Sequence, residues 1–177
     1  SNKKTFWLIS SLIIFLILLS TNAFHKTINQ RQKLITIYDI PNAFAIDFIE
    51  GNKIQTFSTK DSIEYHTENF RVKHGATELT NLKNLYMNNG FIKFHNKRLF
   101  VLNKISDLKQ LNESSIEIDI LIYNAFGKLP IEDLQKYFKF SHLIISSRVP
   151  IAAKNFVYEN YNKSIVKISE GMVIINC

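Results

Sequence analysis

Four single histidines, a few carboxylates and a serine pair are the side chains of this sequence best placed to do chemistry. His66, His74, His95 and His142 stand far apart along the chain. A hydrolytic metal centre needs several neutral imidazoles and carboxylates converging on one loop, because the ion demands a set ligand number and geometry. The sequence has no His-x-His pair and no aspartate beside a histidine. The nearest approach to a ligand set is Asp61, His66 and His74, all within 58–89. Scattered histidines of this kind read as surface or satisfied core residues. Asp119 starts a strand, where pairing with a Lys or Arg is expected. Asp47 and Glu50 flank a hairpin and are expected to be solvated. Ser146-Ser147 is not in a nucleophile elbow, since no Gly-x-Ser-x-Gly occurs. There is no glycine-rich phosphate loop or GxGxxG. Phe91, Phe94 and Phe100 follow strand spacing, which suits a core better than a base-stacking platform. The one cysteine, Cys177, permits neither an internal disulfide framework nor a CxxC zinc knuckle. The residues alone thus yield no catalytic, cofactor-binding or metal-binding set.

The elements that would have to position any site are clearest between Ile116 and Ile175. A strand (Ile118–Tyr123), a helix opened by Pro130 (Ile131–Phe138) and a strand (His142–Ser146) come first. A helix (Ile151–Tyr161) and two short strands (Ile165–Ile168, Met172–Ile175) follow. Isoleucine-rich strands alternating with short helical patterns predict βαβ units on a parallel or mixed sheet. Upstream, Leu34–Ile40 reads as a strand ended by Pro41-Asn42. Ala45–Ile49 and Lys53–Phe57 read as a hairpin through Gly51, and Phe91–Phe94 with Arg98–Leu102 as a hairpin around His95-Asn96-Lys97. Residues 58–89 carry the weakest signal: a short strand near Phe70–Lys73 and a helical turn near Leu79–Met87. Residues 106–115 read as a loop or weak helix.

The chain has 177 residues, 46% of them hydrophobic, and a net charge of +7. Every acidic residue lies beyond Lys26, so residues 27–177 hold 19 basic and 15 acidic side chains. That mild excess permits anionic lipid or nucleic acid as partners without pointing to either. Phe6–Phe24 is uncharged and apolar, about 28 Å long as a helix, close to a bilayer core. It reads as a transmembrane helix with Trp7 at the interface. The competing reading is a signal peptide cleaved after Thr21-Asn22-Ala23. A chain beginning with Ser is expected to be a trimmed or fragmentary one, for which a signal peptide has no use. Lys3 and Lys4 on one side and Lys26, Arg31 and Lys33 on the other leave orientation undecided. The organisation expected is a transmembrane helix over 1–26, a linker over 27–33 and one domain over 34–177.

The order of elements from Leu34 to Ile175 resembles the metallo-β-lactamase-like domain at the C-terminus of the ComEC family, and within it the shortened tails of Bacteroidetes-type bacteria. Ile118-Asp119-Ile120-Leu121-Ile122 resembles the family's Asp-Ile-Leu-Ile strand. His142–Ser147 resembles its Val-Val-Ile-Ser strand, and Ile165–Ile168 with Glu170–Ile174 its closing hairpin. Tyr38–Phe48 resembles the opening Asp-Val-Gly-Gln-Gly-Asp strand and turn, with the glycines replaced. The resemblance implies an α/β (α+β) fold: a reduced metallo-β-lactamase-like two-sheet sandwich flanked by helices and preceded by one transmembrane helix.

Set against that family, the metal ligands are missing. Val101-Leu102-Asn103-Lys104 stands where active members carry Leu-Thr-Gly-Asp, so a cation replaces the bridging aspartate. Asn124-Ala125-Phe126-Gly127 stands where they carry His-His-Gly-Ser, and Val149-Pro150 where they carry His-Pro. The resemblance therefore implies a non-catalytic pseudoenzyme domain without cofactors, tethered to the bacterial inner membrane and sitting outside the cytoplasm. Its partners would be the membrane, the rest of a ComEC-type DNA-uptake channel used in natural transformation, and single-stranded DNA through weak contacts. Two alternatives stay open: a metal-dependent nuclease acting on incoming DNA, and a membrane-anchored interaction module unrelated to competence.

Overall fold

Strand β1 (Lys33–Ile40) is covered on both faces, with Leu34 to Tyr38 all buried. A strand apolar on both sides belongs inside a layered fold, and that is where the computed structural model puts it. The structure describes residues 2–41, 43–59, 63–111, 115–125, 131–160, 165–166 and 171–177. In the first sheet β1 lies between β11 (Met172–Asn176) and β2 (Ala43–Glu50), followed by β3 (Lys53–Ser58) and the two-residue β4 (Glu78–Leu79). All its neighbours are antiparallel except β3 and β4. The second sheet has six strands in the order β10 (Ile165–Val166), β9 (Phe138–Ile145), β8 (Ile116–Tyr123), β7 (Lys97–Leu102), β6 (Phe91–Phe94) and β5 (Leu85–Asn88). From β7 to β10 the strands run parallel, and β6 and β5 close the edge as antiparallel hairpins.

The sheets pack face to face. Ile35, Ile37, Phe44, Ile46 and Phe48 of the first meet Ile92, Phe94, Leu99, Val101, Ile120 and Ile122 of the second. Phe48 and Phe94 meet edge to face at 5.4 Å, a geometry worth about 1 kcal/mol beyond area burial. Helix α2 (Glu64–Lys73) covers the outer face of the first sheet, where Ile63 and Phe70 join Tyr38, Ala45, Ile49 and Ile54. Leu134 of helix α3 (Ile131–Tyr137) and Leu108 of a 3-10 turn (Ile105–Gln110) pack with Leu121, Tyr123, Leu143 and Ile145 on the second sheet. The mixed α/β two-sheet sandwich expected from the sequence is the fold observed. Helix α4 (Ile151–Asn160) follows β9.

Helix α1 (Asn2–Arg31) stands apart from this core, and its apolar residues are exposed, Trp7 at 72% and Leu12 at 58%. It is long and apolar enough to cross a membrane. Three of its hydroxyls bond back to the helix: Ser11 donates to the Leu8 carbonyl, Thr21 to Leu18 and Thr27 to Ala23.

Segment 27–33 is helical up to Arg31. Two expectations are corrected. Phe70–Lys73 is the last turn of α2, not a strand, because Ile63, Thr67 and Phe70 bury one face at helical spacing. Leu79–Met87 is not a helical turn: it starts on the last residue of β4 and enters β5. Asn89 and Gly90 then turn the chain with φ of 47° and 84°, the two positive φ values of a tight hairpin turn.

The junction with α1 is built rather than loose. The Gln32 amide Nε2 donates to the Gly51 carbonyl at 2.8 Å and to the His74 carbonyl at 2.6 Å. The Gly51 N–H donates to the Gln32 carbonyl at 3.0 Å. Gly75, at φ 62°, leaves room for Asn29, whose Nδ2 would lie 2.8 Å from any Cβ there. The β2–β3 turn and the end of α2 are thus held against the last turn of α1.

Candidate functional site

Parallel strands β7, β8 and β9 end side by side, and the C-terminal edge of such strands is where α/β folds place their chemistry. The residues delivered there are Asn103-Lys104 after β7, Asn124 after β8 and Ser146-Ser147 after β9. The ladder continues into the loops: the Asn124 N–H donates to the Leu102 carbonyl and the Ser146 N–H to the Tyr123 carbonyl. Asn124 Nδ2 donates to Asn103 Oδ1 at 2.8 Å. Ser147 ties this edge to the other sheet, its N–H donating to Asp39 Oδ1 at 2.6 Å and its hydroxyl to the Ile40 carbonyl at 2.9 Å. Asn124 Oδ1 and Ser146 Oγ are buried with no hydrogen-bond partner among the described residues.

This edge carries amides and hydroxyls, the carboxylates of Asp39 and Asp107, each engaged by a backbone N–H, and the exposed ammonium of Lys104. That set does not suit a zinc or manganese ion, which requires imidazole and carboxylate donors converging on one point and repels an adjacent cation. Among the described residues no three His, Cys, Asp or Glu gather closely enough to hold a metal. Beside the edge lies a groove of about 660 Å³, lined by Tyr86, Asn88, Gly90, Phe91, Asn103 and Asp107 among others.

The histidines do not converge. His66 is exposed on α2 with its ring edge-on to Tyr65, and His142 is exposed on β9. His74 caps the end of α2 with its ring 4.2 Å from Phe70; burial, with Lys73 as a second cause, lowers its pKa. His95 sits at the β6–β7 turn with Nε2 3.2 Å from Glu50 Oε1, without the alignment of a hydrogen bond. Asp61, Phe126, Gly127 and Pro130 lie outside the described residues. Asp119 accepts the Arg98 backbone N–H at 2.7 Å and faces its guanidinium at 3.6 Å. Phe94 and Phe100 are buried in the core, with Phe91 packed partly buried against Phe100 at 4.5 Å.

Asp47, expected to be solvated, is fully buried. It sits on the α2-covered face of β2, and Arg71 of α2 grips it through Nε to Oδ2 and Nη2 to Oδ1, both at 2.7 Å. Tyr38 donates its hydroxyl to Oδ2 at 3.0 Å and Thr56 donates to Oδ1 at 2.6 Å. Burial lowers the Arg71 pKa, but the bonds and charge of Asp47 outweigh it and raise the value overall. Burial first, then the Asp47 charge, holds the Tyr38 proton well above the ordinary phenol range. Every oxygen of the carboxylate is engaged, so the arrangement fastens α2 to the sheet and offers nothing to a substrate.

A protein-family model described as the ComEC C-terminal domain matches residues 35–169. No curated protein and no solved structure matches the chain.

Proposed function

The chain belongs to the ComEC C-terminal domain family, which ties it to a ComEC-type competence protein, and we propose that there it acts as a membrane-tethered, non-catalytic domain. The observation that carries this reading is the strand-end edge. Positions where active members carry imidazoles and a carboxylate hold Lys104, Asn124, Ala125 and Val149, while Asn124 and Asn103 bond each other and Ser147 ties the two sheets together. The exposed apolar surface of α1 supports tethering, since a helix with this surface is stable only in lipid or against another apolar body. The domain then contributes folding or assembly to a DNA-uptake protein, with at most weak contacts to the DNA.

The test uses the full chain in detergent micelles, incubated with Zn²⁺ or Mn²⁺ and desalted. Metal content is measured by mass spectrometry, and cleavage of single-stranded DNA is followed with and without EDTA. The expected result is sub-stoichiometric metal and no cutting. Near-stoichiometric metal with EDTA-sensitive cutting would overturn the proposal. Deleting the domain from the chromosome and measuring transformation frequency tests the tie to DNA uptake.

A further inference from the structure

The Gln32 junction fixes which end of the sandwich faces the apolar helix. At that end lie the start of β1, the β2–β3 turn, the end of α2 and the start of β4. The strand-end edge with Asn103, Asn124 and Ser147 lies at the opposite end, one strand length of roughly 23 Å along β1. From Phe24, the last residue of the apolar run, to Gln32 the helix rises only about 12 Å. The near end of the domain is therefore within a headgroup layer's reach of any bilayer that α1 crosses.

That end carries Lys26, Arg31, Lys33, Lys53 and Lys73, all exposed, and none forms an ion pair with another described residue. Its acidic residues, Glu50 and Glu78, are engaged by Asn84 and Asn52. The same end exposes two aliphatic side chains, Val72 at 63% and Leu79 at 69%. A hollow of about 460 Å³ lined by Val72, Ala76, Thr77 and Leu79 opens beside them, with Glu64 and Glu68 lining it further back along α2. Exposed cations and exposed aliphatic side chains at one end of the domain, next to a membrane-length helix, suit a surface of anionic phospholipid headgroups over acyl chains.

We propose that this end of the domain is a lipid-binding face, seating Lys53, Lys73 and their neighbours on anionic headgroups with Val72 and Leu79 at the headgroup–acyl boundary. The proposal rests on α1 crossing the bilayer. It gives the domain one fixed posture: the lipid face down, and the strand-end edge and its groove pointing away from the membrane.

The experiment places the full chain, with Cys177→Ser and Leu79→Cys, in nanodiscs of phosphatidylcholine alone or with added phosphatidylglycerol. A polarity-sensitive dye on the introduced thiol reports depth through quenching by brominated acyl chains. The expected result is strong quenching with phosphatidylglycerol and weak quenching without it. Each cation near such a surface contributes about fivefold to partitioning, so adding Lys53→Gln and Lys73→Gln lowers the seated-to-free ratio by about 25-fold. A dye at Lys104→Cys stays unquenched in every disc. Trp7, the single tryptophan, separates this proposal from its premise. If Trp7 is quenched and the dye at position 79 behaves like that at 104, the lipid face is refuted while the spanning helix stands. If Trp7 is not quenched, the spanning reading fails and the lipid face with it. A dye unaffected by phosphatidylglycerol, together with labelled single-stranded DNA whose binding is lost on changing Lys53 and Lys73, would reassign the cations to nucleic acid and overturn the proposal.

Discussion

Among the described residues, Arg71 is the cation that faces the fully buried Asp47 carboxylate, and replacing it by Met removes that charge. Two bonds at 2.7 Å to Asp47 and a third from Nη2 to Thr56 Oγ1 at 2.9 Å disappear together. Tyr38 and Thr56 still donate to the carboxylate, but its charge is left in a low-dielectric layer without a counter-charge. Breaking a buried pair in this way costs about 3–5 kcal/mol. For a domain of this size that lowers the melting temperature by about 10–15 °C. The converse change, Asp47→Asn, is milder at about 1–3 kcal/mol, because the Arg71 side chain is 13% exposed and its freed guanidinium reaches water, whereas Asp47 is at 0%. The assay is guanidinium and thermal unfolding of the full chain in micelles, followed by circular dichroism, for both single variants and the double. The double variant is expected to cost at least about 2 kcal/mol less than the sum of the singles. A loss below about 1 kcal/mol for Arg71→Met, or additivity within about 0.5 kcal/mol, would refute the view that this pair fastens α2 to the sheet.

Gly90→Ala forces a side chain onto φ 84° and brings its Cβ to 2.8 Å from the Val101 carbonyl; a loss of about 2 kcal/mol or more is expected by denaturant titration, while Gly171→Ala, with open space around it, costs about half that. His74 has a lowered pKa in the fold, so as the pH falls the unfolded chain takes the proton first. Stability is full above the unfolded histidine value of about 6.5 and declines as the pH drops through the folded value. Unfolding curves across that window are expected to flatten for His74→Asn, and an unchanged slope would sink the assignment. Burial, opposed by Lys97 and Lys33, pushes the Cys177 thiol up to about 11; its alkylation at neutral pH is expected to run at least about tenfold slower than that of a free cysteine, rising steeply in alkali.

The strands were legible where apolar residues left no other option. The second half of β8 (120–123) and the end of β9 (143–145) are apolar runs buried on both faces, and β2–β3 and β6–β7 are hairpins with readable turns. What escaped lies in 58–89. Helix α2 buries only Thr67 and Phe70 of its own residues, too thin a stripe for a hydrophobic period to stand out. The β5–β6 hairpin did carry a signal, since Asn-Gly between short apolar–polar alternations is the strongest local hairpin mark. Asp47 was readable too: Ala45 and Ile49, its neighbours on the same face, are apolar, so a carboxylate between them is buried and must find a partner. Which cation answers it depends on how α2 crosses the sheet, and no spacing in the sequence encodes that crossing. The strand-end residues were located from the resemblance, but their mutual hydrogen bonds depend on the parallel register of β7, β8 and β9.

The pairing of β1 with β11 has a consequence in time. β1 leaves the ribosome directly behind the apolar helix, and β2 can zip onto one of its edges within moments. The other edge waits for Met172–Asn176, more than a hundred residues later in translation. During that interval an isoleucine-rich strand stands half-paired, the kind of edge on which nascent chains stick to one another. The final backbone bond, from the Cys177 N–H to the Lys33 carbonyl, also lies at the end of the domain beside the helix. A premature stop that removes β11 therefore leaves β1 permanently open on that side. Such truncated chains are expected to be cleared by quality control rather than to survive as partly working protein.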